Sequence, residues 1–341
     1  IAVIGPNADR RVLGGYSGIP KYYTTVLQGV KERVGDKVKV LFSEGCKITV
    51  GGNWNEDVVN LPDPEVDRKL IAEAVETARK SDVVLLALGD SEQTSREAWS
   101  KTHLGDRANL DLVGMQNQLV KAVLGTGKPV VVLLFNGRPV SINYIGAHVP
   151  AVLECWYLGQ ETGGAVADVL FGDFNPGGKL PISIPRSAGH IPSYYNHKPS
   201  ARRGYLFDDI TPLYSFGYGL SYTRFGFSNV RLEKSTIAPD ETTRVLVDIT
   251  NNGKITGQEV VQMYIHDVVS SVTRPVKELR GFSRITLKPG ESKTVAFTIS
   301  PELLRFTAID MVSTVEAGDF EIMVGNSSRD EDLKKVILHV V

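Results

Sequence analysis

Residues Asp82–Asp90 read DVVLLALGD, an apolar run with an acidic residue at each end. An unbroken run of this kind is typical of a strand that is covered on both faces, as in a parallel sheet. The polar segment Glu92–Arg107, EQTSREAWSKTHLGDR, follows almost at once, and the helical pattern Leu110–Leu124, LDLVGMQNQLVKAVL, comes next. This succession of strand, loop and helix predicts one unit of an α/β fold.

The same alternation runs through the first half of the chain. Strands are predicted at Ile1–Gly5, Lys37–Ser43, Asp82–Gly89, Pro129–Asn136 and Ala151–Tyr157, and helices at Thr25–Val34, Asp63–Ser81, Leu110–Leu124 and Glu161–Gly172. Alternating strands and helices predict a mostly parallel, doubly wound sheet in a three-layer α/β/α sandwich. We expect this domain to cover residues 1–185.

Residues 186–225 have a different texture. They are rich in Pro, Gly, Tyr and His and show neither helical nor strand periodicity. The aromatic content is too high for a flexible linker, so we expect an ordered strap packed on the surfaces of the domains. Arg202 and Arg203 within it are interpreted as a solvated basic pair, with a ligand or subunit contact as the alternative.

The last part of the chain, residues 226–341, predicts an all-β domain. Runs that alternate apolar and polar residues recur at Asn229–Ser235, Thr243–Asn252, Glu259–Asp267, Lys277–Leu287, Lys293–Ser300 and Gly318–Asn326. Turn signals such as NNGK and KPGES separate them. This spacing predicts an immunoglobulin-like or fibronectin III-like β-sandwich.

Composition excludes several classes of function. A formal net charge of −1 provides no basic surface for nucleic acid or for a membrane. No apolar run approaches the roughly 20 residues of a membrane span. With only Cys46 and Cys155 there is no disulfide framework, and we expect two buried thiols rather than a pair. Because Ile1 opens directly into a strand, we expect a fragment or a processed chain.

Several common sites are also excluded by their motifs. The segment IAVIGPNADRRVLGG lacks GxGxxG and GxxxxGK[ST], and Pro6 removes a backbone N–H from the place where a phosphate cradle needs one. The histidines have no metal-ligand spacing, and neither HExxH nor GxSxG occurs. We therefore expect no metal and no cofactor.

The polar segment after the third strand carries the strongest chemical signal. It contains two glutamates (Glu92 and Glu97), an indole (Trp99) and, close to them, the cations Arg96 and Lys101. Carboxylates for proton transfer, a flat aromatic face and orienting cations are typical of sugar sites, and α/β folds bind ligands at the carboxyl ends of strands. A solvated surface loop is the alternative.

A second aromatic candidate lies in the Gly-rich loop VGGNWNEDVVNLPDP. Its Trp54 also follows a strand region, so the indole could stack on a sugar or could simply pin the loop. The residues leave this choice open.

Taken in order, the motifs resemble glycoside hydrolase family 3. The resemblance rests on IAVIGPNA, GGYSG, FSEGC, LGD…SREA…GDR, GKPVVVLLFNGRPVSI, GDFNPGGKLP and FGYGLSYT, and it covers essentially the whole chain. It implies the C-terminal (α/β)6 sandwich of those enzymes followed by their fibronectin III-like domain. It further implies a retaining, exo-acting β-glycosidase of the β-glucosidase or β-xylosidase type, of secreted or periplasmic origin.

The same resemblance implies the site residues. In the family an N-terminal (β/α)8 barrel supplies the nucleophilic Asp, and the sandwich domain supplies a Glu as general acid/base. The matching residue here is Glu97. The residue types themselves, and not the resemblance, make Arg96, Trp99 and Trp54 candidate substrate contacts. The partners implied are an oligosaccharide or aryl glycoside and the barrel, with a homodimer left open. Without the barrel we expect the isolated chain to be inactive or nearly so.

Two departures from the family pattern matter. The insertion SKTHLG separates Glu97 from Asp106 and Arg107 and shifts the register of the loop relative to the family pattern, so Glu92 is the second candidate. The GGYSG segment is closer to the GNYxG form of β-xylosidases than to the GSW form of many β-glucosidases, which favours xylosides.

Two other hypotheses remain at this point. The β-sandwich and the aromatic strap are compatible with a non-catalytic carbohydrate-binding or assembly module. A nucleotide-binding α/β protein is a third hypothesis, which the missing phosphate-loop motifs disfavour.

Overall fold

The computed structural model describes residues 1–201 and 203–341 and divides them into two compact units. The first contains Ile1–Phe174 and Arg186–Gly189, and the second contains Asn175–Pro185 and His190–Val341. The residues of the predicted strap are thus shared between the two units. Arg202, half of the predicted solvated pair, lies outside the described residues.

The first unit is an α/β sandwich. Its elements are β1 (Ala2–Ile4), α1 (Val26–Val34), β2 (Leu41–Ser43), α2 (Pro64–Arg79), β3 (Val84–Gly89), α3 (Glu92–Ser95), α4 (Gln116–Leu124), β4 (Val130–Phe135), α5 (Asn143–His148), β5 (Ala151–Glu154) and α6 (Thr162–Leu170). All five strands pair in parallel, in the order β2-β1-β3-β4-β5. The parallel α/β class predicted from the sequence is confirmed.

Helices cover the two faces of this sheet. All six residues of β3 are buried. Because successive side chains of a strand point to opposite faces, this burial means that both faces of the sheet are covered at β3. On one face Val3 and Leu85 pack with residues of α1 and α6. The next residue of β1, Ile4, lies beside Leu119 of α4 on the other face. The central strands therefore contribute to two cores.

Local sequence explains where the helices begin. Thr25 caps α1 in a capping box with Gln28, and Asp63 caps α2, with Pro64 in its first turn. Helix α4 begins at Gln116 instead of the predicted Leu110, because Gly114 has a φ of 70°. At Gly29 of α1 and Gly163 of α6 a Cβ would overlap the backbone of the other helix, so these helices pack closely only with glycine.

The second unit is a β-sandwich. Its elements are β6 (Phe225–Leu232), β7 (Thr236–Ile237), β8 (Thr243–Asn251), β9 (Gly257–Asp267), β10 (Glu278–Leu287), β11 (Ser292–Ile299), α7 (Pro301–Leu304), β12 (Phe306–Thr307), β13 (Ser313–Thr314), β14 (Gly318–Gly325) and β15 (Leu333–Val340). One sheet has the order β10-β9-β14-β15-β7 and the other β11-β8-β6. Alternate residues of β8, among them Val245, Val247 and Ile249, enter the core between the sheets. The predicted sandwich is confirmed.

The sulfur chemistry is that expected from the sequence. Cys46 and Cys155 are both free and buried, which confirms the prediction of two buried thiols. Burial raises the pKa of each thiol and keeps it protonated. Among the described helices none combines the length and the apolar character needed to cross a membrane.

Candidate active site

The strand order places the candidate site at a reversal of the sheet. The chain passes from β1 to β2 on one side of β1 and then to β3 on the other side. Loops that leave the carboxyl ends of two strands at such a reversal diverge and form a crevice, the usual ligand site of open α/β sheets. The predicted polar segment, residues 92–107, leaves β3 at this edge, and we call it the candidate loop.

The first turn of the candidate loop is the short helix α3. Ser91 and Thr94 cap it reciprocally, since each side chain hydrogen-bonds the backbone amide of the other. This helix holds Glu92, whose carboxylate accepts a hydrogen bond of 2.8 Å from Arg10 Nη2 and a longer one from the amide of Leu13. Glu92 is therefore paired to the loop that follows β1.

Glu97 has a different environment. It is exposed, and none of the described residues hydrogen-bonds its carboxylate. Two residues further, the Trp99 side chain is 80% exposed and makes an edge contact with the His103 ring, with 4.8 Å between the ring centroids. The candidate loop thus presents the exposed Glu97 carboxylate and, two residues further along the chain, the exposed Trp99 indole.

Arg96, the predicted substrate contact, is 1% exposed and binds backbone. Its Nε donates to the carbonyl of Leu104 at 2.8 Å, and its Nη1 donates to those of Trp54 and Glu56 at 2.8 and 2.6 Å. Its Nη2 reaches the carbonyl of Asp57 at 3.2 Å. The guanidinium links the candidate loop to residues 54–57, and these contacts do not support the predicted substrate role.

A histidine forms a second link between the same two loops. His103 Nδ1 lies 2.8 Å from Asp57 Oδ1, and the His103 ring is almost fully buried. This hydrogen bond is the main reason that the pKa of Asp57 is below its ordinary value. With Arg96, it ties both loops into one structure.

Trp54 is half-buried, with its indole against the backbone of Gly15 and in edge contact with Tyr16 at 5.0 Å. It lines a polar cleft of about 310 Å³ together with Arg10, Lys47, Asn53, Glu92 and Gln93. The structure therefore brings Trp54 and Glu92 to one cleft, whereas Glu97 and Trp99 are not among the residues that line it. Trp54 pins the loop, and its exposed part still faces the cleft.

A buried polar cluster lies at the ends of β3, β4 and β5. Asp90 is fully buried, and burial raises its pKa to about 6 although Arg107 and Arg138 oppose the rise. Burial also raises the pKa of Glu154 to about 7, and the nearby Asp90 charge adds to the shift. The Asn136 side chain hydrogen-bonds Glu154. This cluster was not predicted from the sequence, although the polar residues of LGD and NGRP at two strand ends were a signal for it.

The chemistry available at the site is proton transfer. Within the described residues no group of three His, Cys, Asp or Glu side chains has the arrangement of a metal site. In the candidate loop Glu97 offers an exposed carboxyl group that no described residue hydrogen-bonds, and such a group can donate a proton to an acid-labile bond or accept one from water. Stacking on Trp99 would orient a flat ring or a sugar face next to it.

Comparison with known proteins decides the family. The glycosyl hydrolase family 3 C-terminal domain matches residues 1–222, and a fibronectin type III-like domain matches residues 259–328.

The chain belongs to glycosyl hydrolase family 3.

Relatives in family 3 carry names of two activities. The chain is 47% identical to a β-xylosidase of Formosa agariphila over 100% of its own length and 46% of that protein. It is 43% identical to a periplasmic β-glucosidase of Salmonella typhimurium, covering 96% of this chain and 45% of the relative. The structure of a β-glucosidase from Erythrobacter marinus superposes with a TM-score of 0.94 at 41% identity, over 100% of this chain and 46% of that one. The chain spans about half the length of the family 3 proteins it matches.

Proposed function

We propose that this chain is the C-terminal portion of a retaining, exo-acting β-glycosidase that removes terminal non-reducing β-D-glucosyl or β-D-xylosyl residues. Glu97 is the general acid/base, and the nucleophilic Asp lies in an N-terminal barrel for which the greater length of the relatives leaves room. The names of the relatives support both sugars. A secreted or periplasmic location is proposed by analogy with the periplasmic relative.

The contrast between the two carboxylates carries this proposal. Glu92 is held by Arg10 and by the amide of Leu13, so its charge is compensated within the chain. Glu97 is exposed and has no partner among the described residues. A group that gives a proton to a substrate and takes it back must be accessible and must not be committed to a fixed cation.

The mechanism follows from two carboxyl groups on opposite sides of the scissile bond. Glu97 protonates the glycosidic oxygen as the barrel carboxylate attacks the anomeric carbon, and its carboxylate then takes a proton from the water that releases the sugar. Retaining enzymes hold the two groups about 5–5.5 Å apart. Trp99 and Trp54 are proposed as sugar contacts, and Arg96 contributes by holding the loops together.

The test replaces each carboxylate in the enzyme that carries the barrel. Glu97→Gln should lower kcat/KM by about 10²- to 10⁴-fold for an aryl glycoside with a poor leaving group, and far less for a dinitrophenyl glycoside that needs no protonation. Azide should restore turnover of the activated substrate. Glu92→Gln is the matched control. If Glu92→Gln, and not Glu97→Gln, shows the leaving-group dependence and the rescue by azide, Glu92 is the general acid/base.

The isolated chain provides an independent test. Because it contains only one of the two carboxylates, it should hydrolyse aryl β-glucosides and β-xylosides at no more than a trace of the rate of the enzyme with its barrel. Robust turnover by the chain alone would exclude the proposed division of the site.

A further inference from the structure

Arg138, which follows β4 in the segment NGRP, contacts the candidate loop on both sides of Glu97. Its Nη2 donates to the carbonyl oxygen of Arg96 at 2.7 Å and approaches that of Gly105 at 3.5 Å. The carbonyl of Arg96 belongs to the peptide group whose nitrogen is that of Glu97. The stronger of the two bonds therefore holds the peptide plane from which the Glu97 side chain departs.

Gly105 shows how closely the two sides of the loop approach each other. A Cβ at this position would overlap the carbonyl carbon and oxygen of Glu97 and the nitrogen of Ala98. The amide of Ala98 also donates to Asp106 Oδ1 at 3.2 Å. The backbone of Glu97 is thus packed against the returning side of the loop, next to the guanidinium that joins the two sides.

The position of Arg138 is itself well defined. Its carbonyl accepts a hydrogen bond of 2.8 Å from Asn136 Nδ2, and Asn136 is fully buried. The Arg138 Nε is buried without a hydrogen-bond partner among the described residues, while its positive charge favours the buried carboxylate of Asp90. The Arg138 side chain is therefore anchored at the end of the core strand β4, although its Nε–H has no hydrogen-bond partner among the described residues.

We propose that Arg138 is a positioning residue for Glu97, which it holds at the reacting bond through the carbonyls of Arg96 and Gly105. The inference rests on the proposed role of Glu97. Arg138 acts through the backbone and does not itself transfer a proton. Its loss should therefore affect the step that needs a correctly placed acid, since a displacement of about 1 Å can lower a rate about 100-fold.

The experiment uses the enzyme with its barrel and measures kcat/KM for a series of aryl glycosides whose leaving groups differ in acidity. Arg138→Met should lower kcat/KM about 10- to 100-fold for the phenyl glycoside and much less for the dinitrophenyl glycoside. Arg138→Lys keeps a positively charged donor group at this position and should retain part of the kcat/KM that Arg138→Met loses. Arg33→Met, which removes an exposed arginine paired with Asp173, is the matched control and should leave the series unchanged.

Gly105→Ala tests the position of the Glu97 backbone from the returning side of the loop. This test does not depend on whether an Arg138 variant folds. It should also lower kcat/KM selectively for poor leaving groups. Equal losses on all substrates in both variants would overturn the inference and leave Arg138 a structural residue. If Glu97→Gln itself lacks the leaving-group dependence, the proposed function fails instead, so the two failures are distinguishable.

Discussion

Arg107 Nη1 donates a hydrogen bond of 3.0 Å to Asp90 Oδ1, and this bond joins the last residue of the candidate loop to the residue that follows β3. The same oxygen accepts from Thr94 Oγ1 at 3.2 Å. Because Asp90 is fully buried and Arg107 nearly so, the pair closes the base of the loop in a region with little water. The loop is therefore attached to the sheet at both of its ends.

Arg107→Gln should destabilise the chain by about 2–4 kcal/mol at pH 8, because the buried Asp90 carboxylate then loses the cation that hydrogen-bonds it and keeps only the charge of Arg138 nearby. The loss should be smaller at pH 5, since the pKa of Asp90 is about 6 and the acid is largely protonated there. Denaturant unfolding at pH 8 and at pH 5 measures the change in the free energy of unfolding. The double variant with Asp90→Asn should show a coupling energy of about 1–3 kcal/mol, and additive losses would refute a direct interaction.

Arg96→Met should destabilise the chain by about 3 kcal/mol or more, since it removes a buried, charged donor that binds four backbone carbonyl groups. The two linked loops should also become sensitive to protease. Limited proteolysis, with cleavage sites mapped by mass spectrometry, measures this effect. Arg203→Met, a change at an exposed arginine, is the control. If the Arg96→Met enzyme is as stable as the parent and only its KM is raised, the prediction that Arg96 contacts the substrate would be supported instead.

Glu154→Gln should change how stability depends on pH. The pKa of Glu154 is raised from 4.5 to about 7 in the folded chain, so the folded state binds this proton more tightly than the unfolded state does. The parent therefore loses stability as pH rises from about 4.5 to about 7, and the neutral amide does not. The melting temperature of the variant should rise relative to that of the parent across this interval, by the equivalent of about 3 kcal/mol.

The control for this change is Glu32→Gln, which removes a carboxylate from the exposed face of α1. Its melting temperature should follow that of the parent at each pH. Parallel pH curves for Glu154→Gln and the parent would show that Glu154 ionises in the folded chain as freely as in the unfolded one.

Lys179→Met should destabilise the second unit by about 3–5 kcal/mol. Lys179 Nζ lies 2.8 Å from Glu259 Oε1 and donates to the carbonyl of Gly219 at 2.9 Å, and both charged side chains are nearly buried. The single change leaves the Glu259 charge unpaired inside the unit. The double variant Lys179→Met with Glu259→Leu should recover most of the loss in calorimetry, and no recovery would contradict the pairing.

Much of the fold was predictable because its signals are local. The five parallel strands were recognised from unbroken apolar runs, and the starts of α1 and α2 follow from Thr25 and Asp63 as capping residues. Strand β15 (Leu333–Val340) was missed because its alternation is broken by two successive lysines, Lys334 and Lys335, and its place depends on pairing with β14. Helix α5, only six residues long, is too short to show a period.

The sequence by itself determined the two folds, the family resemblance and the segment that carries the candidate carboxylates, since apolar periodicity and short motifs depend on neighbouring residues. The family resemblance ranked Glu97 before Glu92, but only the tertiary structure showed that Arg10 holds Glu92 while no described residue hydrogen-bonds Glu97. It also revealed that Arg96 and Arg138 bind backbone carbonyls of the candidate loop. The contacts of Arg10 with Glu92, of Arg96 with Trp54 and of Arg138 with Arg96 join residues that are 82, 42 and 42 positions apart. Spacing along the sequence does not encode such encounters.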